Sequence, residues 1–248
     1  MKITAIATHK ITGKDNDLLR ILDKYLNIVV EGSVVVITSK IVAVTQGRIA
    51  RVNRSGMDAL VKKEANYYID KNLHKSKMYI TLKDNSLTFS SGIDDSNGNG
   101  HIVLWPDNVQ VVANIARKWL CKKFNLKKLG VIITDMTALP LKWGVIAGAL
   151  AYSGFSPLND LRGKPDVFGR KMKFTQAGIL NGLAAAAGVV MGEGNEQTPL
   201  AIISDIPFVR FVSRNPFKKE LDALIIEPDQ DMYGPLFKGA PWQKGGAL

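Results

Sequence analysis

The run Leu129-Gly130-Val131-Ile132-Ile133-Thr134-Asp135 anchors the architecture expected of this chain. Its apolar, β-branched character predicts a buried strand, and the carboxylate at its end stands where a chain turns and a functional group is left free. Gly92-Ile93-Asp94-Asp95-Ser96-Asn97 and Met191-Gly192-Glu193-Gly194-Asn195-Glu196 repeat the arrangement, each setting acids beside glycine or small polar residues after an apolar run. Hard oxygen ligands gathered from separate loops suit magnesium or manganese, metals that commonly bridge to nucleotide phosphates. Taken together, the three islands point to a metal and nucleotide site.

Each island alone has a plainer reading. Asp-Asp-Ser-Asn is also the composition of an Asx turn. Asp135 can simply cap the segment after its strand. Gly-Glu-Gly-Asn after an apolar helix can be a stop signal with a solvated acid. No metal-spacing motif such as the EF-hand loop accompanies them, so the combination, not any one member, favours a site.

Outward from the anchoring strand, strands and helices alternate without repeats or a low-complexity linker. Toward the N-terminus, Ile3 to Ala7 and Val34 to Thr38 read as strands, the second ended by Ser39-Lys40 and resumed by Ile41 to Val44. Asn16 to Tyr25 is an amphipathic helix with Leu18, Leu19, Ile21, Leu22 and Leu26 supplying its apolar face, and a further helix is expected from about Met57 to Lys71. Met78 to Leu82 and Leu87 to Ser91 form a hairpin around Lys83-Asp84-Asn85, and Asn108 to Lys123 reads as a helix capped by Asp107 after Pro106. Toward the C-terminus, Val145 to Ala151 is apolar with interspersed glycine and alanine, and Thr175 to Val190 is helical. Within that helix Ala184-Ala185-Ala186-Ala187-Gly188 has so little bulk that another element can pack very close to it. Leu224-Ile225-Ile226 is expected as a last strand before a Pro- and Gly-rich tail.

Composition sets the outer bounds. The 248 residues, 46% hydrophobic, can bury a substantial core as one large domain or two closely associated ones. Apolar stretches are broken before the ~20 residues that a membrane span needs. Met1-Lys2-Ile3-Thr4 lacks a signal-peptide core, so a cytoplasmic chain without membrane partners is expected. The single Cys121 excludes an intramolecular disulfide and reads as a small hydrophobe. His9, His74 and His101 show no ligand spacing for zinc. The net charge of +11 is spread along the chain, with no nucleic-acid module beside it. A solvated basic surface, or a basic cleft drawing in nucleotides and carboxylates, accounts for it better than nucleic acid.

The order of these blocks resembles the coenzyme F-420-0: L-glutamate ligase family (gamma-glutamyl ligase, CofE-like), from Ile3 to about Pro199. The resemblance is carried by Ile37-Thr38-Ser39-Lys40-Ile41-Val42 with Gln46-Gly47-Arg48, by the three acidic islands, by Asp160-Leu161-Arg162-Gly163 with Asp166-Val167-Phe168-Gly169-Arg170, and by Leu183-Ala184-Ala185-Ala186-Ala187. It implies an α+β, two-domain CofE-like fold forming an interlocked homodimer. Residues 1–248 would make one such unit, with a second subdomain at about 130–205. It further implies GTP as co-substrate, a divalent metal (magnesium or manganese) with a monovalent cation as a further candidate, and L-glutamate joined to a carboxylated coenzyme through an acyl phosphate. By motif, Asp94, Asp135 and Glu193 match the family's metal ligands and catalytic centre. Ser39, Lys40 and Asn97 match nucleotide contacts, and Gly192, Gly194, Asn195 and Glu196 lie in the loop that wraps the nucleotide. His9 to Thr12 falls where the family has an N-terminal nucleotide loop.

Several positions depart from the resemblance. After Asp135 the family usually continues Thr-x-Gly-Arg, whereas this chain has Met136-Thr137-Ala138-Leu139. A metal-contacting hydroxyl thus becomes Met136, and an anion-holding arginine becomes Leu139. Val44 and Gln46 replace a lysine and a glutamate, Val103-Leu104-Trp105-Pro106-Asp107 stands for a Leu-Pro-x-Asp-Pro-Asp block, and Leu180-Asn181 replaces Ala-Asp. The pattern leaves three functions open. The first is a nucleotide-dependent ligase acting on the deazaflavin coenzyme or a folate-like pterin. The second is a non-catalytic module binding nucleotide and metal, and the third a basic nucleic-acid or scaffold protein indifferent to loss of Asp94.

Overall fold

The computed structural model describes residues 1–247. In chain order it contains β1 (Lys2–Ile6), α1 (Leu18–Tyr25), β2 (Ser33–Thr38), α2 (Ser39–Thr45), β3 (Ile49–Ala50), α3 (Arg54–Glu64), β4 (Tyr67–Ile69), β5 (Ile80–Lys83), β6 (Ser86–Phe89) and β7 (Ile102–Val103). Beyond these lie α4 (Val109–Phe124), β8 (Leu129–Ala138), β9 (Val145–Ser153), β10 (Leu158–Asp160), β11 (Gln176–Gly178), α5 (Ile179–Met191), β12 (Leu200–Ser204), α6 (Lys218–Asp222), α7 (Gly234–Gly239) and β13 (Gln243–Lys244). The chain is therefore mixed α and β, and no helix among the described residues is long and apolar enough to cross a membrane.

The largest sheet has the order β1-β12-β2-β8-β9, with β2 and β8 parallel and the other neighbours antiparallel. Both central strands are apolar on both faces because both faces are covered. Alternation sends Val35, Ile37, Val131 and Ile133 toward Leu22 and Leu26 at α1 and Leu120 of α4. Val34, Val36 and Ile132 point the other way, onto Leu183, Ala184 and Ala187 of α5. Each such valine, leucine or isoleucine contributes about 1.5–3 kcal/mol on full burial. The small face of α5 is used as its composition allows: a Cβ added at Gly188 would lie 2.6 Å from the Ala147 Cβ of β9. The stretch 130–205, expected as a possible second subdomain, supplies β8, β9, α5 and β12 to this layered unit.

A second sheet, β13-β4-β5-β6, covers a separate core of Val61, Ala65, Tyr68, Tyr79, Ile93, Ile102 and Leu104. Its β5–β6 hairpin turns at Asp84 and Asn85, whose positive φ values of 47° and 59° are those of the tight turn that matches strand twist.

Some boundaries differ from expectation. Ile41 to Val44 does not resume the strand but forms α2, because the chain must leave the parallel pair, and burying Ile41, Val42 and Ala43 as a helix returns it to the core. The helix expected to reach Lys71 ends at Glu64, and Tyr67–Ile69 pairs with β5 instead. Asn108, in a left-handed conformation, rather than Asp107, precedes α4. α5 starts only at Ile179, since Gln176–Gly178 pair with β10. Leu224 to Ile226 is no strand: it comes after α6 as a turn, with Ile226 exposed. Finally β8 runs on through Asp135 to Ala138, so Asp135 lies within the strand, opposite Gly148.

Candidate functional site

Two neighbouring parallel strands create the site. Thr38 of β2 is in register with Thr134 of β8, so the next residues, Ser39 and Asp135, emerge side by side at the same end of the sheet. There the Ser39 hydroxyl donates to Asp135 Oδ1 at 2.7 Å, and the Trp105 indole N–H donates to Oδ2 at 2.5 Å. Just before Asp135 the register with β9 shifts between Ile133 and Thr134. Such a bulge re-aims the side chains beyond it. Burial pushes the Asp135 carboxyl above its ordinary range, against the Ser39, Trp105 and Met136 donors that favour its charged form.

Lys40, one residue along α2, turns to the Asp94 loop. Its ammonium donates to Asp94 Oδ2 at 2.7 Å, to the Ser96 carbonyl at 2.9 Å and to Ser96 Oγ at 3.0 Å. Asp94 also accepts the Ser96 N–H and hydroxyl, both at 2.7 Å, the closed Asx turn its sequence suggests. Burial alone would raise Asp94, but Lys40 and Ser96 outweigh it and hold the carboxyl below its usual range. Adjacent residues of one helical turn thus hold carboxylates from two separate parts of the fold.

The third island comes after α5, which ends where Gly192 adopts φ 76°. Glu193 is exposed on one side, yet its carboxyl is pushed up to about 7, first by desolvation and then by Asp135, Asp94 and Glu196, with Lys40 opposing. Glu193 thus feels the charge of both other acids. Asn97 ties two islands together by donating from Nδ2 to the Gly194 carbonyl at 2.9 Å. The Gly194 N–H donates to the Glu196 carboxylate at 2.8 Å, so this loop N–H is held by an internal acid. The N-terminal loop reaches the same region, Thr8 N–H donating to the Gln197 carbonyl at 2.9 Å. Among the described residues, Asn195 makes no hydrogen bond that would assign it a role.

The donor set suits a hard divalent cation: carboxylate oxygens, mutual repulsion, and a single lysine opposing it. Among the described residues no group of three acids, histidines or cysteines stands close enough to grip an ion as it is. Lys40 holds Asp94 while Ser39 and Trp105 hold Asp135, so cation binding requires these side chains to yield.

Sequence reading missed Trp105 as a site residue. The signal was only local: Gly92 has φ 69°, and a Cβ there would lie 1.8 Å from Trp105 Nε1, so the glycine is what lets the indole lie against the Asp94 loop. Ser96 was missed too. Met136 and Thr137 follow Asp135 and, with Asn181, Trp105 and Thr88, line a cavity of about 240 Å³. A larger cavity of about 720 Å³ has Asp94 and Asp95 in its lining.

Comparison with known proteins bears on the family of the chain. The family described as F420-0:gamma-glutamyl ligase matches residues 5–205. The coenzyme F420:L-glutamate ligase of Methanococcus maripaludis strain C6 is 38% identical over 145 residues, 58% of this chain and 55% of the relative. That of Methanocaldococcus jannaschii is 39% identical over 121 residues, 48% of each chain. The corresponding protein of Methanosarcina barkeri is 28% identical over 240 residues, 89% of this chain and 92% of the relative. The match thus spans about half the length of the Methanococcus and Methanocaldococcus relatives and nearly all of the Methanosarcina one.

Proposed function

The chain belongs to the F420-0:gamma-glutamyl ligase family, and on that premise we propose that it joins L-glutamate to a carboxylated coenzyme of the F420-0 type in a GTP-dependent reaction. The observation that carries the proposal is the junction at Ser39-Lys40, where one helical turn holds Asp135 and Asp94 from separate parts of the fold while Glu193 couples to both.

A carboxylate is a poor electrophile until one oxygen becomes a leaving group. In the proposed sequence a carboxylate oxygen of the coenzyme attacks the γ-phosphorus of GTP, releasing GDP and forming an acyl phosphate. The glutamate amine, having lost a proton, then attacks the carbonyl carbon, and phosphate departs. Asp94, Asp135 and Glu193 would hold magnesium or manganese, which supplies charge neutralisation for the phosphates. Lys40, released from Asp94, has the charge and reach to pair with a phosphate, and the glycines at 192 and 194 let backbone N–H groups approach it once Glu196 swings away. Positioning of the partners is the main task left to the protein.

We also propose that the unit works as a homodimer, since Leu141, Trp143, Phe168 and Phe174 project almost wholly into solvent, surface that a second copy would cover. A second reading, nucleotide binding without turnover, is favoured by Met136 and Leu139 in place of a hydroxyl and an arginine. The test begins with calorimetric titration of metal-stripped protein with GTP and ATP, with and without magnesium or manganese. Its second stage is glutamate-dependent phosphate release with coenzyme F420-0, or with folate as the alternative acceptor. Saturable metal-dependent binding with release supports the ligase. Binding without release with either acceptor selects the second reading, and no binding sinks both.

A further inference from the structure

We propose that the 720 Å³ cavity seats the acceptor, and that Arg54 and Lys77 make it selective for a bulky organic carboxylate carrying at least one further anionic group. The inference rests on the ligase reading above and assigns to it a place for one substrate. Size separates the two cavities at the site. About 240 Å³ holds only about eight waters' worth of volume and suits an amino acid, whereas about 720 Å³ lies in the range of coenzyme-sized ligands. Asp135 lines the small cavity and Asp94 the large one, and Ser39 and Lys40 hold those two carboxylates. Each cavity is therefore walled by one of the two acids that the Ser39-Lys40 junction holds.

Charge then specifies what the large cavity takes. Lys71 is satisfied by Asp58, and Asp94 by Lys40. Arg54 and Lys77 line the cavity with no ion-pair partner among the described residues. Asp95, beside Asp94, is the one acid of the lining without an ion-pair partner among the described residues, and it stands at the end nearest the site. Arg54 also opens α3, whose first turn contains no acid and whose cap residue Asn53 takes up the Gly56 N–H. A cation at the positive end of a helix is electrostatically misplaced until an anion joins it. Met57 and Tyr79 give the same cavity an apolar wall. The combination fits a ligand with an extended apolar body, an anion held by Arg54 and Lys77, and a carboxylate reaching Asp94.

The test is equilibrium dialysis of the full chain and of the Arg54→Gln/Lys77→Gln double variant against coenzyme F420-0 and against folate, without nucleotide, beside a GTP titration in magnesium. Loss of two charge-assisted contacts should raise the dissociation constant of whichever coenzyme binds by about tenfold or more and leave that of GTP within about twofold. The paired exchange Arg54→Lys/Lys77→Arg should restore most of the affinity. Equal coenzyme affinity in the Gln double variant, or no binding of either coenzyme to the wild-type chain, overturns the assignment. Turnover with an unchanged acceptor KM in the Gln double variant overturns the cavity and keeps the ligase. Coenzyme binding lost in that variant, with no turnover by the wild type, keeps the cavity and sinks the ligase.

Discussion

Replacing Glu64 by Gln should loosen the attachment of the smaller sheet to the site. Glu64 Oε2 accepts from Lys83 Nζ at 2.5 Å and Arg48 Nη2 at 2.6 Å, and the side chains of Lys83 and Glu64 are only 8% and 14% exposed. Arg48 also donates from Nε to the Trp105 carbonyl at 3.0 Å, so the cluster steadies the segment from which Trp105 reaches Asp135. Burial pushes the Glu64 carboxyl up, but Lys83 and Arg48 more than offset this and hold it below the ordinary range. Gln keeps the shape yet leaves two cations facing a neutral amide. Removing one member of a buried pair costs about 3–5 kcal/mol, and Arg48 retains Asp107 at 3.3 Å, so about 3 kcal/mol is expected. A carboxyl whose folded pKa is depressed contributes stability above its unfolded pKa and loses it as pH falls through the folded value. Urea denaturation should therefore show the full gap between wild type and Glu64→Gln at pH 7, closing as acid protonates Glu64 in the wild type too. A gap under about 1 kcal/mol at pH 7, the size of an exposed pair, or one unchanged between neutral and acid pH, would refute the reasoning.

Three further outcomes are expected. Gly92→Ala should cost about 3 kcal/mol or more, combining positive-φ strain with a clash against the Trp105 indole; near-unchanged urea midpoints and near-ultraviolet circular dichroism would show that the indole moves aside freely. Asp135→Asn puts an amide where two donors, Ser39 and Trp105, need an acceptor. It should weaken metal-dependent GTP binding by about tenfold or more while the fold persists, and unchanged affinity in magnesium would remove Asp135 from the metal site. Lys40→Ala should reduce nucleotide affinity more than glutamate affinity in calorimetry, with equal losses pointing to general misfolding instead.

The buried strands were legible because β2 and β8 carry their apolar character on both faces, and the Asp84-Asn85 hairpin because its turn chemistry is local. The Ser39-Lys40 position was legible only as a motif; that Ser39 holds Asp135 depends on the parallel register of strands nearly a hundred residues apart, and that Lys40 holds Asp94 on a loop outside both strands. Ile41 to Val44 misled because its β-branched residues favour a strand, while the exit from the parallel pair demanded a helix. Trp105 was hidden for a similar reason: its partner Asp135 and its support at Gly92 lie in other elements. The closing of the smaller sheet by β13 joins Gln243 to Tyr68, a pairing no local pattern announces.

The close seat of α5 on β9 reaches beyond packing. Gly188 rests against Ala147, one residue before Gly148, which pairs with Asp135, while four residues beyond Gly188 the helix gives way to the loop that carries Glu193. The thickness of that contact is thus a ruler for the distance between two acids of the site. An added methyl group at either position would lengthen the ruler from inside the core, without touching a polar atom. The small residues on the inward face of the helix therefore set a spacing in the acidic cluster that no polar contact reveals.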